Sequence, residues 1–183
     1  MQISASMVKQ LRDKTGAGMM DCKKALGETE GDFDQALDWL RKKGISKAAK
    51  KADRVASEGV AYAYSTGKKG CLVEVNAETD FVAKNEKFTQ FVHQLAELVL
   101  ETGEIDVEKL SASSWPEGGT VAEQLTELVA TIGENMTIRR VTVLSVSKGA
   151  VAGYVHMNGK IAVLTALSAE EESDNLKETA RNV

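Results

Sequence analysis

Proline is almost missing from this sequence of 183 residues: Pro116 is the only one. Turns recruit proline while helix interiors and central strands exclude it, so a collagenous, proline-rich or many-turned sandwich chain is ruled out and long uninterrupted elements are expected. Cysteine is nearly as scarce. Cys22 and Cys71 lie far apart, with no Cys or His beside them at metal spacing, which supports neither a disulfide framework nor a zinc site and fits a reducing, cytoplasmic setting. No stretch approaches the roughly 18 apolar residues of a membrane span, and residues 1–10 lack the basic-then-apolar pattern of an export signal, so no membrane anchoring is expected. Positive charge is not in excess either. A net charge of -4 and a pI near 5.4 exclude a protein that grips nucleic acid through a bulk basic field.

What remains is the composition of a globular chain. Apolar residues make up 43% and charged residues 27%, enough for a packed core in one ordinary domain or a few small ones. Residues 1–44 read as a three-helix unit. Ser4 or Ser6 caps a first helix through Met7, Val8 and Leu11, and the permissive run Thr15-Gly16-Ala17-Gly18 turns the chain. A second helix carries Met19, Cys22, Ala25 and Leu26. Asp32 with Gln35 resembles a capping box opening a third helix, on which Phe33, Ala36, Leu37 and Leu40 recur at helical spacing until Gly44 closes it. Residues 45–57 read as a basic helical linker. From Arg41 to Arg54, Arg41, Lys42, Lys43, Lys47, Lys50, Lys51 and Arg54 face only one acid, Asp53, and a solvated face is favoured over RNA binding.

Residues 58–149 switch to a mixed pattern. Val60, Tyr62 and Tyr64, a turn at Gly67-Lys68-Lys69-Gly70, and Cys71, Val73 and Val75 alternate as a hairpin. A helix across 82–102 places Phe88, Phe91, Val92, Leu95, Leu98 and Val99 on one stripe, and a polar loop with the single proline follows. Thr120-x-x-Glu123 is a capping box for a helix bearing Val121, Leu125, Leu128, Val129 and Ile132, ended by Gly133. Strands are expected at 137–146, 150–156 and 160–167, the last two joined at Asn158-Gly159. Hairpins beside helices predict an α+β core with an antiparallel sheet. Residues 150–183 form the start of a second subdomain. Leu176, Ala180 and Val183 then keep helical spacing up to a terminus with no stop signal, so a longer natural chain is expected.

Catalytic patterns are absent. His93 and His156 are the only histidines, and neither belongs to a nucleophile elbow or a His-Glu-x-x-His pair. Ser65-Thr66-Gly67-Lys68-Lys69-Gly70 lacks the leading glycine and the terminal Ser or Thr of a phosphate loop, and Gly16-Ala17-Gly18-Met19-Met20-Asp21 lacks the third glycine of a dinucleotide fingerprint. No enzyme, cofactor, metal or direct nucleotide binding is expected. Asn76-Ala77-Glu78-Thr79-Asp80-Phe81-Val82-Ala83-Lys84 is more informative, because it sits where strand gives way to helix. With Thr79 or Asp80 as N-cap, Phe81 either folds onto the core, which spacing alone favours, or points outward as an anchor for a partner. Met19 and Met20, adjacent on a helix, cannot both face one narrow stripe, so at least one lies at its edge or outside.

Leu11-Arg12-x-x-Thr15-Gly16-Ala17-Gly18-Met19-Met20-Asp21-Cys22-Lys23-Lys24-Ala25-Leu26 and Glu78-Thr79-Asp80-Phe81-Val82-Ala83-Lys84 closely resemble the two signature stretches of the bacterial elongation factor Ts family, and Ile132-Gly133-Glu134-Asn135 with Arg139-Arg140 resembles a third shared segment. The resemblance implies a guanine nucleotide exchange factor for the GTPase elongation factor Tu, with a ubiquitin-associated-like three-helix head and a core of two related subdomains, the second incomplete. It implies that Arg12, Met19, Met20 and Lys23 contact the GTPase domain. Asp80 and Phe81, completed by Val82 and Ala83, would disturb the partner's magnesium site, and Ile132, Gly133 and His156 would match further partner-facing positions. Residue patterning alone leaves Ile132 as a last core residue and Gly133 as a helix cap. Family members continue beyond the point where this chain stops, which leaves its exchange activity and oligomeric state open. A plain interaction module without exchange activity is the alternative.

Overall fold

The computed structural model describes residues 3–170 and 174–182, and the chain divides into two compact units. The first is built from the segment up to Arg54 together with Leu125–Asn135, the second from Val55–Gln124 and the segment from Met136 onward. The first unit holds α1 (Ala5–Thr15), α2 (Met19–Glu28) and α3 (Phe33–Ala49), together with the later part of a helix that begins in the second. Ser4 caps α1 by accepting the Met7 N–H at 3.2 Å, and Gly16, in the left-handed region at φ 65°, closes it by donating to the Arg12 carbonyl at 2.7 Å. Val8, Leu11, Cys22, Ala25, Leu26 and Ala36 form the buried core, with Phe33, Leu37 and Leu40 packed partly against it. Asp32 accepts the Gln35 N–H at 2.9 Å, but the Gln35 side-chain amide returns to the Asp32 carboxylate at 3.1 Å, so only half of the expected capping box forms.

Gly44 does not close the third helix, contrary to the sequence expectation: α3 runs on to Ala49. A Cβ at Gly44 would stand 3.3 Å from the Cβ of Ala130, so this glycine is a notch where a neighbouring helix passes rather than a terminator. The stretch 45–57 is correspondingly helical only as far as Ala49, and turns follow. It is also less solvated than its charges suggest. Lys43 and Lys47 both bind Asp21 on α2, and the Asn135 amide donates to the carbonyls of Ala52 at 3.2 Å and Arg54 at 2.7 Å.

In the second unit β1 (Glu58–Thr66), β2 (Lys69–Ala77) and β3 (Met136–Ser145) form an antiparallel sheet in the order β1-β2-β3. Thr66 pairs with Lys69, so the β1–β2 turn is the two residues Gly67-Lys68, tighter than the four expected. One face of β2, Cys71, Val73, Val75 and Ala77, is buried, as are Phe88, Phe91, Val92, Leu95, Ala96 and Val99 of α5 (Glu86–Thr102). The two meet where the Cys71 thiol donates to the Ala96 carbonyl at 3.1 Å; burial pushes that thiol up to about 11, which leaves it protonated. The helix expected over 82–102 is interrupted. A four-residue α4 (Asp80–Ala83) precedes α5, whose own N-cap, Asn85, accepts from Lys87 and Phe88. The polar loop contains a short helix, α6 (Val107–Ala112), capped by Asp106 and anchored by the buried Leu110. Trp115 is buried and stacks on Phe91 with centroids 5.3 Å apart. Thr120 and Glu123 form the expected reciprocal box, at 3.0 and 3.2 Å, ahead of α7 (Val121–Ile132).

A second antiparallel pair, β4 (Gly149–His156) and β5 (Ile161–Ser168), lies against the other face of the first sheet. The approach is close: a Cβ on Gly153 would stand 2.8 Å from that of Ala63, and one on Gly70 would stand 2.7 Å from Leu164 Cδ1. Met157, Asn158 and Gly159 all adopt positive φ in a 3-10 turn, so strand pairing ends at His156 and Ile161 and the connection is four residues long, one more than the expected strands leave. The helix α8 (Asp174–Asn182) packs on β4 with Ala180 buried; Val183, expected on the same face, lies outside the described residues. The architecture is α+β with antiparallel sheets, as the patterning predicts. Gly153→Val is expected to destabilise the second unit by about 1–3 kcal/mol through overpacking against Ala63, read as a lower denaturation midpoint with unchanged slope.

Candidate functional site

Phe81 is 79% exposed, so it points outward and not onto the core that spacing alone favours. Its neighbour explains why. Val82 is only 4% exposed, and on so short a helix adjacent side chains diverge by about 100°, so seating Val82 in the core turns Phe81 into solvent. Burial also removes Val82 from any partner surface: it holds the segment, and Ala83, half-buried, borders it. Thr79 occupies the N-cap position of α4 without a capping bond, while Lys84, just past its end, donates to Asp80 Oδ2 at 3.1 Å. That ammonium holds the exposed Asp80 carboxyl below the ordinary carboxylate range, and the charge of Lys160 adds a smaller pull. Lys160, from the β4–β5 connection, also pairs with Glu58 at the start of β1. His156 stands exposed at the head of that connection, its Nδ1 2.9 Å from the Tyr154 hydroxyl. The β4–β5 connection, through Lys160, thus comes within electrostatic reach of Asp80.

Two arginines lie on the same sheet. β3 bulges where Glu74 pairs with Arg140 and Val75 with Ile138, leaving Arg139 extra. Arg140 Nε approaches Glu74 at 2.5 Å and Arg139 Nε at 3.6 Å, so both converge on one carboxylate. On the first unit, Met19 and Met20 are 59% and 74% exposed, and Arg12 and Lys23 are exposed beside them in sequence. At least one of the two methionines is expected outside the core stripe, and both are: Cys22, Ala25 and Leu26 form the buried side of α2 without them. Ile132 is half-buried as the last residue of α7, and Gly133 at φ 91° donates to the Val129 carbonyl at 2.9 Å, so its local role is a helix cap. Asn135, beside them, ties down the chain at Ala52 and Arg54 and had no role on sequence grounds. Asp21 and Asn85 are likewise structural residues that only the fold reveals. Among the described residues no group of three or more His, Cys, Asp or Glu side chains is placed to hold a metal ion, and no helix is long and apolar enough to cross a membrane.

Residues 78–183 match the family model described as Elongation factor TS. The chain is 56% identical over its whole length to an elongation factor Ts of Rhodospirillum centenum and 54% identical, over 96% of its length, to one of Sphingopyxis alaskensis. Another elongation factor Ts, of Maricaulis maris, is 54% identical over 99% of the chain. These alignments take in 61%, 59% and 59% of the relatives, so the chain spans about three-fifths of the length of the curated proteins it matches.

Two measurements check this geometry. The Asp80 carboxyl, followed by NMR, is expected to titrate below the ordinary carboxylate range and to return to it in Lys84→Met; the pair is intact above that range and is lost as pH falls through the lowered midpoint. Asn135→Ala is expected to cost about 1–2 kcal/mol by orphaning two backbone carbonyls, and Asn135→Asp more, because a carboxylate would face them.

Proposed function

The chain belongs to the elongation factor Ts family, and from that premise we propose that it is a cytoplasmic guanine nucleotide exchange factor that promotes GDP release from elongation factor Tu during translation elongation. The observation that carries the reading is the outward Phe81 beside the buried Val82. A large apolar ring held in solvent by a rigid backbone costs little entropy to dock and fills a pocket in a partner. Asp80 brings a carboxylate next to it, and its role on this reading is to disturb the groups around the partner's magnesium ion. Met19 and Met20, with Arg12 and Lys23, supply a second, adaptable contact set.

The action is linkage, not bond chemistry. A factor that binds the nucleotide-free partner more tightly than the GDP-bound form must weaken GDP by the same ratio that GDP weakens the factor. Each tenfold change needs about 1.4 kcal/mol of differential contact, and an inserted aromatic with its flanking contacts supplies several such steps. Binding of RNA through the basic run 41–54 loses support, because Lys43 and Lys47 are committed to Asp21.

Release of labelled GDP from elongation factor Tu tests the reading. Wild-type chain is expected to accelerate it, and Phe81→Ala to lose tenfold or more of that acceleration with unchanged circular dichroism and melting, since the ring is mostly in solvent. A folded Phe81→Ala protein with the wild-type rate would remove the wedge role. Binding by wild type without any acceleration would leave an interaction module instead.

A further inference from the structure

The first turn of α2 carries Met19 and Met20 and has little local support, the one local side-chain tie being the long bond from the Cys22 thiol to the Ala17 carbonyl at 3.7 Å. Its N-cap is Gly18, which has no side chain to accept the exposed N–H groups. The next residue after the methionines is held from another helix. Lys43 Nζ donates to Asp21 Oδ1 at 2.7 Å and Lys47 Nζ to Oδ2 at 2.6 Å, so each carboxylate oxygen has its own ammonium. The lysines stand one turn apart on α3, and Lys43 is further placed 4.9 Å from the Trp39 ring centroid. The Asp21 side chain is three-quarters buried, at 23% relative exposure, while the methionines preceding it are open to solvent.

We infer that Asp21 is a positioning residue: its double tie to α3 replaces the missing cap and presents Met19 and Met20 in one fixed backbone geometry. Methionine side chains adapt to a partner by rotation, so affinity depends on the turn beneath them being ordered before binding. Two charge-assisted bonds to one carboxylate are strong and directional enough to order it. The inference rests on the exchange reading for its consequence, though not for the ordering itself.

The experiment uses the whole chain and measures GDP release from elongation factor Tu against chain concentration. Asp21→Asn is expected to raise the half-saturating concentration about threefold to tenfold, with the maximal rate within about twofold of wild type. Asp21→Glu is expected to recover most of the loss. Lys47→Met, which leaves one tie, is expected to give an intermediate value and serves if Asp21→Asn does not fold. The decisive arm places Asp21→Asn in a Met19→Ala/Met20→Ala background, where a positioning role has nothing left to position and the effect should vanish. An undiminished effect there, or a half-saturating concentration within about twofold of wild type, overturns the inference. Hydrogen exchange on the free protein separates the two readings. The Cys22 amide, which donates the first bond of α2 to the Gly18 carbonyl at 3.0 Å, should lose protection in Asp21→Asn. Unchanged protection overturns the positioning claim whatever the exchange assay gives, whereas a wild-type chain that leaves GDP release unaltered overturns the exchange reading.

Discussion

Strand β2 carries the second unit, because both of its faces are covered and neither can move without the other. One face sets Cys71, Val73, Val75 and Ala77 into the core with α5. The opposite face admits the β4–β5 pair only because small residues stand at the contact, glycine at 70 and 153 and alanine at 63. A strand covered on both sides has a fixed register, since a slip of one residue would turn Glu74 and Asn76 into the core and Val73 and Val75 out of it. β2 ends at Ala77, and three residues later α4 begins. The segment that exposes Phe81 is thus bolted to the most constrained strand of the unit.

That dependence is needed, because α4 has no stability of its own. Four residues cannot offset the cost of nucleating a helix, and Thr79 gives it no capping bond. What keeps the turn in place is the burial of Val82, with two local supports beside it: Asn85 starting a new helix immediately behind, and Lys84 bonded back to Asp80. Full burial of a valine side chain is worth about 1.5–3 kcal/mol, which is of the size needed to hold one turn. The same logic governs the first unit, where Asp21 rather than a local cap holds the first turn of α2.

Legibility from sequence follows the range of the interactions. Helices with an apolar stripe and a cap, such as Thr120 to Ile132, are written in a dozen consecutive residues and read correctly, as do the period-two strands. Signals with two physical causes mislead. Gly44 has the conformational freedom of a terminator, yet it is retained because Ala130, far away in the chain, passes within contact distance. Asn158-Gly159 takes positive φ as expected, but Met157 does so as well, which lengthens the connection. The commitment of Lys43 and Lys47 within the basic run is not legible locally, because the carboxylate that binds them, Asp21, is more than twenty residues earlier. α6 escapes notice because six residues are too few to show a helical period. For the contact residues, spacing could frame the alternatives for Phe81 but not decide between them. The burial of Val82 decides, and that depends on the fold around it.

The two proposed contact sets therefore share a design that bears, on the exchange reading, on how affinity is gained. Each consists of flexible or aromatic apolar side chains on a helical first turn that would fray if isolated, and each turn is fixed by one residue beside the contact rather than by the contact itself: Val82 beside Phe81, Asp21 beside Met20. Separating the anchor from the contact leaves the exposed residue free of any folding duty, so it can be shaped for a partner without loss of stability. It also sets the thermodynamic consequence. A turn ordered in the free protein contributes its full contact energy on binding, whereas a frayed one first gives up part of that energy to order itself. On the proposed exchange reading, that saving strengthens binding to every form of the partner alike and so lowers the concentration of chain required, while only contacts made more favourably with the nucleotide-free form loosen GDP.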